Sequence, residues 1–205
     1  MRLPPNQLTA LVLAVSFSAG LNVYLTVAVL GLLVRAGALE LPASLNSVAS
    51  WWVIVPCAAL FAIEFVADKI PIFDLVWNAL QTFVRVPIAA LLAYGATSQL
   101  SPEMQALATL VGGAIALAAH GGKIAARTAV SHSPEPFSNI ALSLGEDGLV
   151  VLLTWFATRH PYWSSIIVLT ALLIVLSVLG FVVRSVRALF RGAERAVSNS
   201  LGADG

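Results

Sequence analysis

The sequence predicts an all-α integral membrane protein with about six transmembrane helices, and three observations predict it. The chain of 205 residues is 59% hydrophobic and only 10% charged, whereas a soluble domain carries about 25% charged residues; its mean hydropathy is +0.92. The apolar residues gather into runs near the ~20 residues that a helix needs to cross a bilayer. The basic residues then fall mainly on one side of the resulting topology. A single polytopic domain is expected over residues 1–198, with halves at 1–98 and 104–195 and a disordered tail at 199–205.

The first span runs from Leu8 to Val34 and is interrupted by Ser16, Ser18, Gly20 and Asn22. Arg2 and the small residues Ser16-Phe-Ser-Ala-Gly20 resemble part of a signal peptide, but apolar character continues past them, so a retained span is expected. The second runs from Trp51 to Asp68, with Pro56 near its start. The third, from Val76 to Thr97, contains Arg85 and Pro87 and reads as a short, broken or tilted helix. The fourth runs from Met104 to Ala126 with Gly112-Gly113 and Gly121-Gly122, the fifth from Asn139 to Thr158, and the sixth from Tyr162 to Val183. Arginines at 184, 187, 191 and 195 share one helical face and read as an extension of the last helix near anionic headgroups.

With the N-terminus in the cytoplasm, the inner side collects Arg2, Lys69, Arg85, Lys123, Arg127, Arg184, Arg187, Arg191 and Arg195, and the outer side keeps Arg35 and Arg159. That bias, nine against two, favours six spans with both termini inside. Trp51, Trp52, Tyr162 and Trp163 then fall at the outer interface, where aromatic belts form.

Ionisable residues inside these runs are the strongest functional signal, because a charge at bilayer depth costs about 2.5–3.5 kcal/mol on insertion scales. Glu64 and Asp68 close the second run at i, i+4 spacing, which puts both carboxylates on one helix face. Such a pair repels unless a proton, a cation or a basic side chain lies between. Lys123 and Arg127, themselves i, i+4, end the fourth run at similar depth and are the candidate partners. Glu146 and Asp147 lie deeper, in the fifth span, between Gly145 and Gly148, where the helix is expected to be able to unwind. Asn22, Tyr24, Asn139 and Ser143 are candidate neutral ligands, and His120 reads as a satisfied buried histidine rather than a proton relay.

The halves echo each other weakly. Ser18-Ala-Gly-Leu-Asn-Val-Tyr24 set beside Ala119-His-Gly-Gly-Lys-Ile-Ala125 aligns Gly20 with Gly121 and Asn22 with Lys123. Ala62–Lys69 set beside Ala141–Gly148 aligns Asp68 with Asp147. Three spans per half would make the repeats inverted, a recurring transporter design.

Several chemistries lack their signatures. The single Cys57 excludes an internal disulfide and a multi-cysteine zinc site. There is no His-Glu-x-x-His, Gly-x-Ser-x-Gly, phosphate-binding glycine loop or lipidation motif. A metal site from His120, Glu146 and Asp147 has no spacing rule behind it, so the metal question stays open. No cofactor or nucleic-acid partner is expected.

At Glu64-Phe-Val-Ala-Asp-Lys-Ile-Pro71, with Asp74 following, the chain resembles a family of uncharacterised bacterial membrane proteins, domain of unknown function 4126. Ser18–Tyr24, Lys123, Arg127, Asn139, Ser143 and Glu146-Asp147 fit the same resemblance, which covers most of the chain. It implies a multi-span membrane protein and supplies no established activity; the bacterial inner membrane is the expected location. A looser similarity is to cation/proton exchangers with the repeated motif Glu-x-Gly-Asp-Lys/Arg-Thr. Here three residues rather than two separate Glu64 from Asp68, the glycine is absent, Ile70 replaces the threonine, and the second half has no matching basic residue after Asp147. That likeness is an analogy only.

Three readings follow. The leading one is a transporter- or channel-like protein for a small solute, cation or proton, in the lipid bilayer and expected as a homodimer. Glu64, Asp68, Glu146 and Asp147 would take the cation or proton, Lys123 and Arg127 would balance the charge, and Asn22, Tyr24, Asn139 and Ser143 would complete the site. The alternative is a non-transporting subunit or scaffold with a structural ion-pair core. The third, an intramembrane enzyme on a lipid-like substrate, wants a nucleophile or metal that the sequence does not clearly offer; the protein is expected not to be an enzyme.

Overall fold

The computed structural model describes residues 4–68, 71–130 and 136–203, without side-chain placement at 71–75, 129–130, 136–139, 158, 186, 189 and 192–203. Among the described residues the chain is all helical: α1 (Pro5–Leu21), α2 (Val23–Arg35), a 3-10 helix (Ala43–Ala49), α3 (Trp51–Ala67), α4 (Pro71–Ala96), α5 (Pro102–Val130), α6 (Pro136–Arg159) and α7 (Pro161–Ala203). Proline opens α1, α4, α5, α6 and α7, where its missing N–H is one of the four that a helix start leaves free.

Four helical stretches are long and apolar enough to cross a membrane: Val76–Ala96, Pro102–Thr128, Ile140–Ala157 and Pro161–Ser185. A fifth arises if the 3-10 helix and α3, bent by 59° at Ser50, count as one span. The chain is therefore a helical membrane protein. The first apolar run is two shorter helices, α1 and α2, divided at Asn22. The third run is continuous, since α4 carries Pro87 inside an unbroken helix. The helix does not open at Gly145-Glu-Asp-Gly148 either, because α6 runs through it without interruption. The arginine-bearing segment continues α7 as far as Ala203, with Arg184, Arg187 and Arg191 exposed.

The centre of the bundle is α1. Twelve of its residues, from Leu8 to Leu21, are buried, on all faces of the helix, as expected of a helix surrounded by others. It packs against α4, α5, α6 and α7. Its close approach to α5 depends on Gly20, where a Cβ would lie 2.4 Å from the Ala116 carbonyl oxygen and 2.8 Å from Ala116 Cα. Small residues let helix backbones approach in this way inside a membrane. By contrast α3 packs on α2 and lightly on α4, and Trp51, Trp52, Val55, Ile63 and Val66 face outward. Arg35 stacks on Trp51, 4.5 Å from the ring centre.

Gly20→Ala is expected to force α1 and α5 apart and cost about 1–3 kcal/mol. Gly148→Ala, where an added Cβ meets nothing within 4 Å, is expected to melt at or above the wild-type temperature. Thermal unfolding of the two detergent-solubilised variants checks this, and a wild-type melt for Gly20→Ala would contradict the packing.

Candidate functional site

The break at Asn22 organises the polar interior. Asn22 is extended, with φ −151° and ψ 100°. Its side-chain oxygen accepts from the Leu25 N–H at 3.0 Å and so caps α2. The last carbonyls of α1 are left without helical partners, and two buried cations reach them. Arg85 Nη1 donates to the Gly20 carbonyl at 3.3 Å, and Lys123 Nζ donates to the Leu21 carbonyl at 3.3 Å. A cation at a helix C-terminus also meets the negative end of the helix dipole. The same device ends α3, where Arg127 Nη1 donates to the Asp68 carbonyl at 3.0 Å.

The acids then compensate the cations. Glu64 pairs with Arg85 through Oε1 and lies 3.4 Å from Lys123 Nζ. Asp68 Oδ2 lies 3.2 Å from Lys123 Nζ and 2.7 Å from Arg127 Nη2. Glu146 Oε2 lies 3.0 Å from Arg127 Nη2 and 3.5 Å from Lys123 Nζ. Asn22 Nδ2 donates to Asp147 Oδ1 at 3.1 Å, which ties the fourth acid to the helix break. Three carboxylates and three cations thus share one ion-pair network among the described residues, and Asp147 adjoins it through Asn22. All these ion-paired side chains are at most 4% exposed except Glu146, at 10%.

His120 completes the network as a neutral group. Its Nδ1 faces Arg85 Nη1 at 2.8 Å, and a guanidinium only donates, so Nδ1 is the acceptor. Nε2 therefore carries the hydrogen and faces the Asn78 carbonyl at 3.0 Å and Thr82 Oγ1 at 2.8 Å. With both nitrogens engaged, His120 does not join Glu146 and Asp147 in a metal site. Among the described residues no group of three His, Cys, Asp or Glu side chains is placed to hold a metal ion.

The structure thus brings together seven of the ten candidates: Asn22, Glu64, Asp68, Lys123, Arg127, Glu146 and Asp147. Tyr24 turns to α4 instead, where its hydroxyl accepts from Gln81 Nε2 at 3.0 Å. Ser143 is buried one turn before Asp147, and its Oγ has no hydrogen-bond partner among the described residues. The side chain of Asn139 lies outside the described residues, as do Lys69 and the side chain of Asp74.

Arg85 belongs to the site although its sequence position reads as a topology-setting charge. The signal was present: Arg85 lies inside the apolar stretch Phe83-Val-Arg-Val-Pro87, and a charge inside such a stretch carries the same meaning as the acids. Together with Lys123 and Arg127 it is buried in the bundle, so three of the nine charges assigned to the inner side do not lie in loops.

Removing one partner of a buried pair costs about 3–5 kcal/mol because the other charge is left uncompensated. Arg85→Gln and Glu64→Gln are each expected to lose stability in that range. The double variant should lose less than the sum by about 1 kcal/mol or more. Thermal unfolding in detergent reads the cycle, and additive losses would contradict the pairing.

No curated protein and no solved structure matches the chain. Residues 9–181 match the family described as domain of unknown function 4126, a stretch that contains every residue of the ion cluster, and the chain belongs to that family.

Proposed function

We propose that the protein moves a small solute or ion across the bacterial inner membrane and that the buried cluster is its binding or coupling site. The observation that carries this reading is Asp147, a carboxylate that meets the neutral Asn22 amide and no basic side chain among the described residues, held beside a broken helix and a buried ion-pair cluster. A carboxylate without a basic partner at bilayer depth favours uptake of a proton or a monovalent cation. Broken helices whose half-helix ends face the ligand are the usual way in which transporters build such sites.

In this reading α1 and α2 form one span broken at Asn22, the bent pair is the second, and six spans arise in two inverted halves with both termini cytoplasmic. Two contacts support the repeat. With Asn22 set against Lys123 and Asp68 against Asp147, the Asp68–Lys123 pair at 3.2 Å and the Asp147–Asn22 hydrogen bond at 3.1 Å are equivalents. Each crosses from one half to the other, and a two-fold axis between the halves would exchange them.

A proteoliposome flux screen comparing wild type with a folded Glu146→Gln/Asp147→Asn variant tests the proposal. Flux in the wild type should fall by about tenfold or more in the variant. Absence of flux for every solute, with both proteins folded and inserted, would leave the cluster as a structural staple between α3 and α5. That second reading draws on α3 hardly approaching α5 except through these charges. It expects that exchanging the signs of Asp68 and Arg127 together restores folding lost in either single change.

A further inference from the structure

Beside the cluster a cleft of about 370 Å³ lies between α1, α5, α6 and α7, within the size range of small-molecule sites, roughly 300–1,000 Å³. Its walls are apolar, from Phe17, Leu21, Leu142, Leu149 and Val175, and the charged groups in its lining are Lys123 and Glu146. The cleft exists because α5 and α6 barely touch each other while α7 packs on both. Its rim residues Ala141, Gly145 and Ile174 are exposed. Since α5, α6 and α7 each contain a candidate span, the mouth faces the side of the bundle and hence the bilayer.

The two charges at the base are not equivalent. Lys123 is 1% exposed, against 10% for Glu146. Lys123 Nζ is already shared by Glu64, Asp68 and the Leu21 carbonyl, at 3.2–3.4 Å. Glu146 meets Arg127 and Lys123 through Oε2, and its Oε1 accepts no hydrogen bond among the described residues. The charge that a ligand in the cleft would meet is therefore a carboxylate, that of Glu146.

We propose that this cleft binds a hydrophobic organic monocation, with Glu146 as its counter-ion and the apolar walls holding its body. The assignment rests on reading the ion cluster as a binding site, and it names the substrate class. Such a cation partitions into the bilayer and reaches the cleft from the side. It then meets a charge that the apolar surroundings leave little screened.

Two isosteric probes of opposite charge, tetraphenylphosphonium and tetraphenylborate, test this in equilibrium dialysis of the detergent-solubilised full chain against protein-free micelles. Saturable binding of tetraphenylphosphonium is expected, with tetraphenylborate weaker by about tenfold or more, and Glu146→Gln should weaken the cation by a similar factor. Because Glu146→Gln can perturb folding, a second variant fills the cleft without touching the charges. A Cβ at Gly145 meets nothing within 4 Å, so Gly145→Leu is expected to fold and to abolish binding. Gly148→Leu, on the same helix with equally open space and outside the cleft lining, should keep wild-type affinity.

Equal binding of both probes would overturn the proposal in favour of a lipid- or detergent-filled groove. Preference for the anion would assign the cleft to Lys123 instead. Cation binding indifferent to Gly145→Leu, or no cation binding by folded protein, would also overturn it. Flux of small ions without cation binding removes this assignment and leaves the transport reading standing; cation binding without any flux does the reverse.

Discussion

The interior of this protein depends on one backbone constraint: a helix cannot stop inside an apolar bundle unless its free carbonyls find donors. At Asn22 the chain leaves helical geometry for one residue, and the carbonyls of Gly20 and Leu21 are met by Arg85 and Lys123. Those cations cannot stay buried alone. Glu64, Asp68 and Glu146 are the counter-charges, and Arg127 is held by two of them. Asn22 joins both levels, capping α2 with its oxygen and holding Asp147 with its nitrogen. Break and cluster therefore form one structural unit, and a change in either must be felt in the other.

This dependence decides what the ion pairs can contribute. A buried pair returns through Coulomb attraction and hydrogen bonds roughly what desolvation costs, so its net stabilisation is small while the loss of one partner is severe. The network is better understood as fixing geometry. It joins α3 to α5, two helices with little backbone contact, through side chains long enough to reach across. Packing of apolar side chains could not perform this service, because the outer faces of α3 meet surroundings as apolar as its own residues. Packing sets α3 against α2, and directional, charge-assisted bonds tie it to α5.

Much of this was legible in the sequence, for reasons that differ by residue. Glu64, Asp68, Lys123 and Arg127 stand out because insertion energetics penalise them wherever they lie, and their i, i+4 spacing already implies facing pairs. The order of α3 to α7 follows from apolar run length. Arg85 was hidden because a positive residue between apolar runs carries two meanings, topology anchor or buried partner, and composition does not separate them. The place of the break was hidden as well. Asn22 disrupts the first span no more visibly than the glycines flanking Glu146-Asp147 disrupt the fifth, yet the chain breaks at the first and not at the second. The structure supplies the reason on one side: Gly20 and Leu21 have buried donors waiting at the end of α1, whereas α6 continues as regular helix through Gly145 and Gly148. A helix is interrupted where tertiary partners take over its hydrogen bonds, and those partners come from residues 65 and 102 positions away along the chain.

If α3 and α6 are equivalents, then α6 packed on α1 and α3 facing α5 are two forms of one interface. The first is closed, with Ser143, Val150, Leu153 and Thr154 buried. The second is spanned by Lys123 and Arg127 reaching to Glu64 and Asp68, with little backbone contact. Inverted halves that hold unlike conformations produce an asymmetric molecule, and exchanging those conformations is the means by which such folds alternate access. Closing α3 onto α5 would shorten the gap that the basic side chains span, while releasing α6 would break the Asn22–Asp147 bond at the centre. Loading Glu146 or Asp147 with a cation weakens the hold of Arg127, Lys123 and Asn22 on those acids. On the transport reading, the occupant of the site and the position of α6 relative to the broken helix would be coupled through the same few bonds.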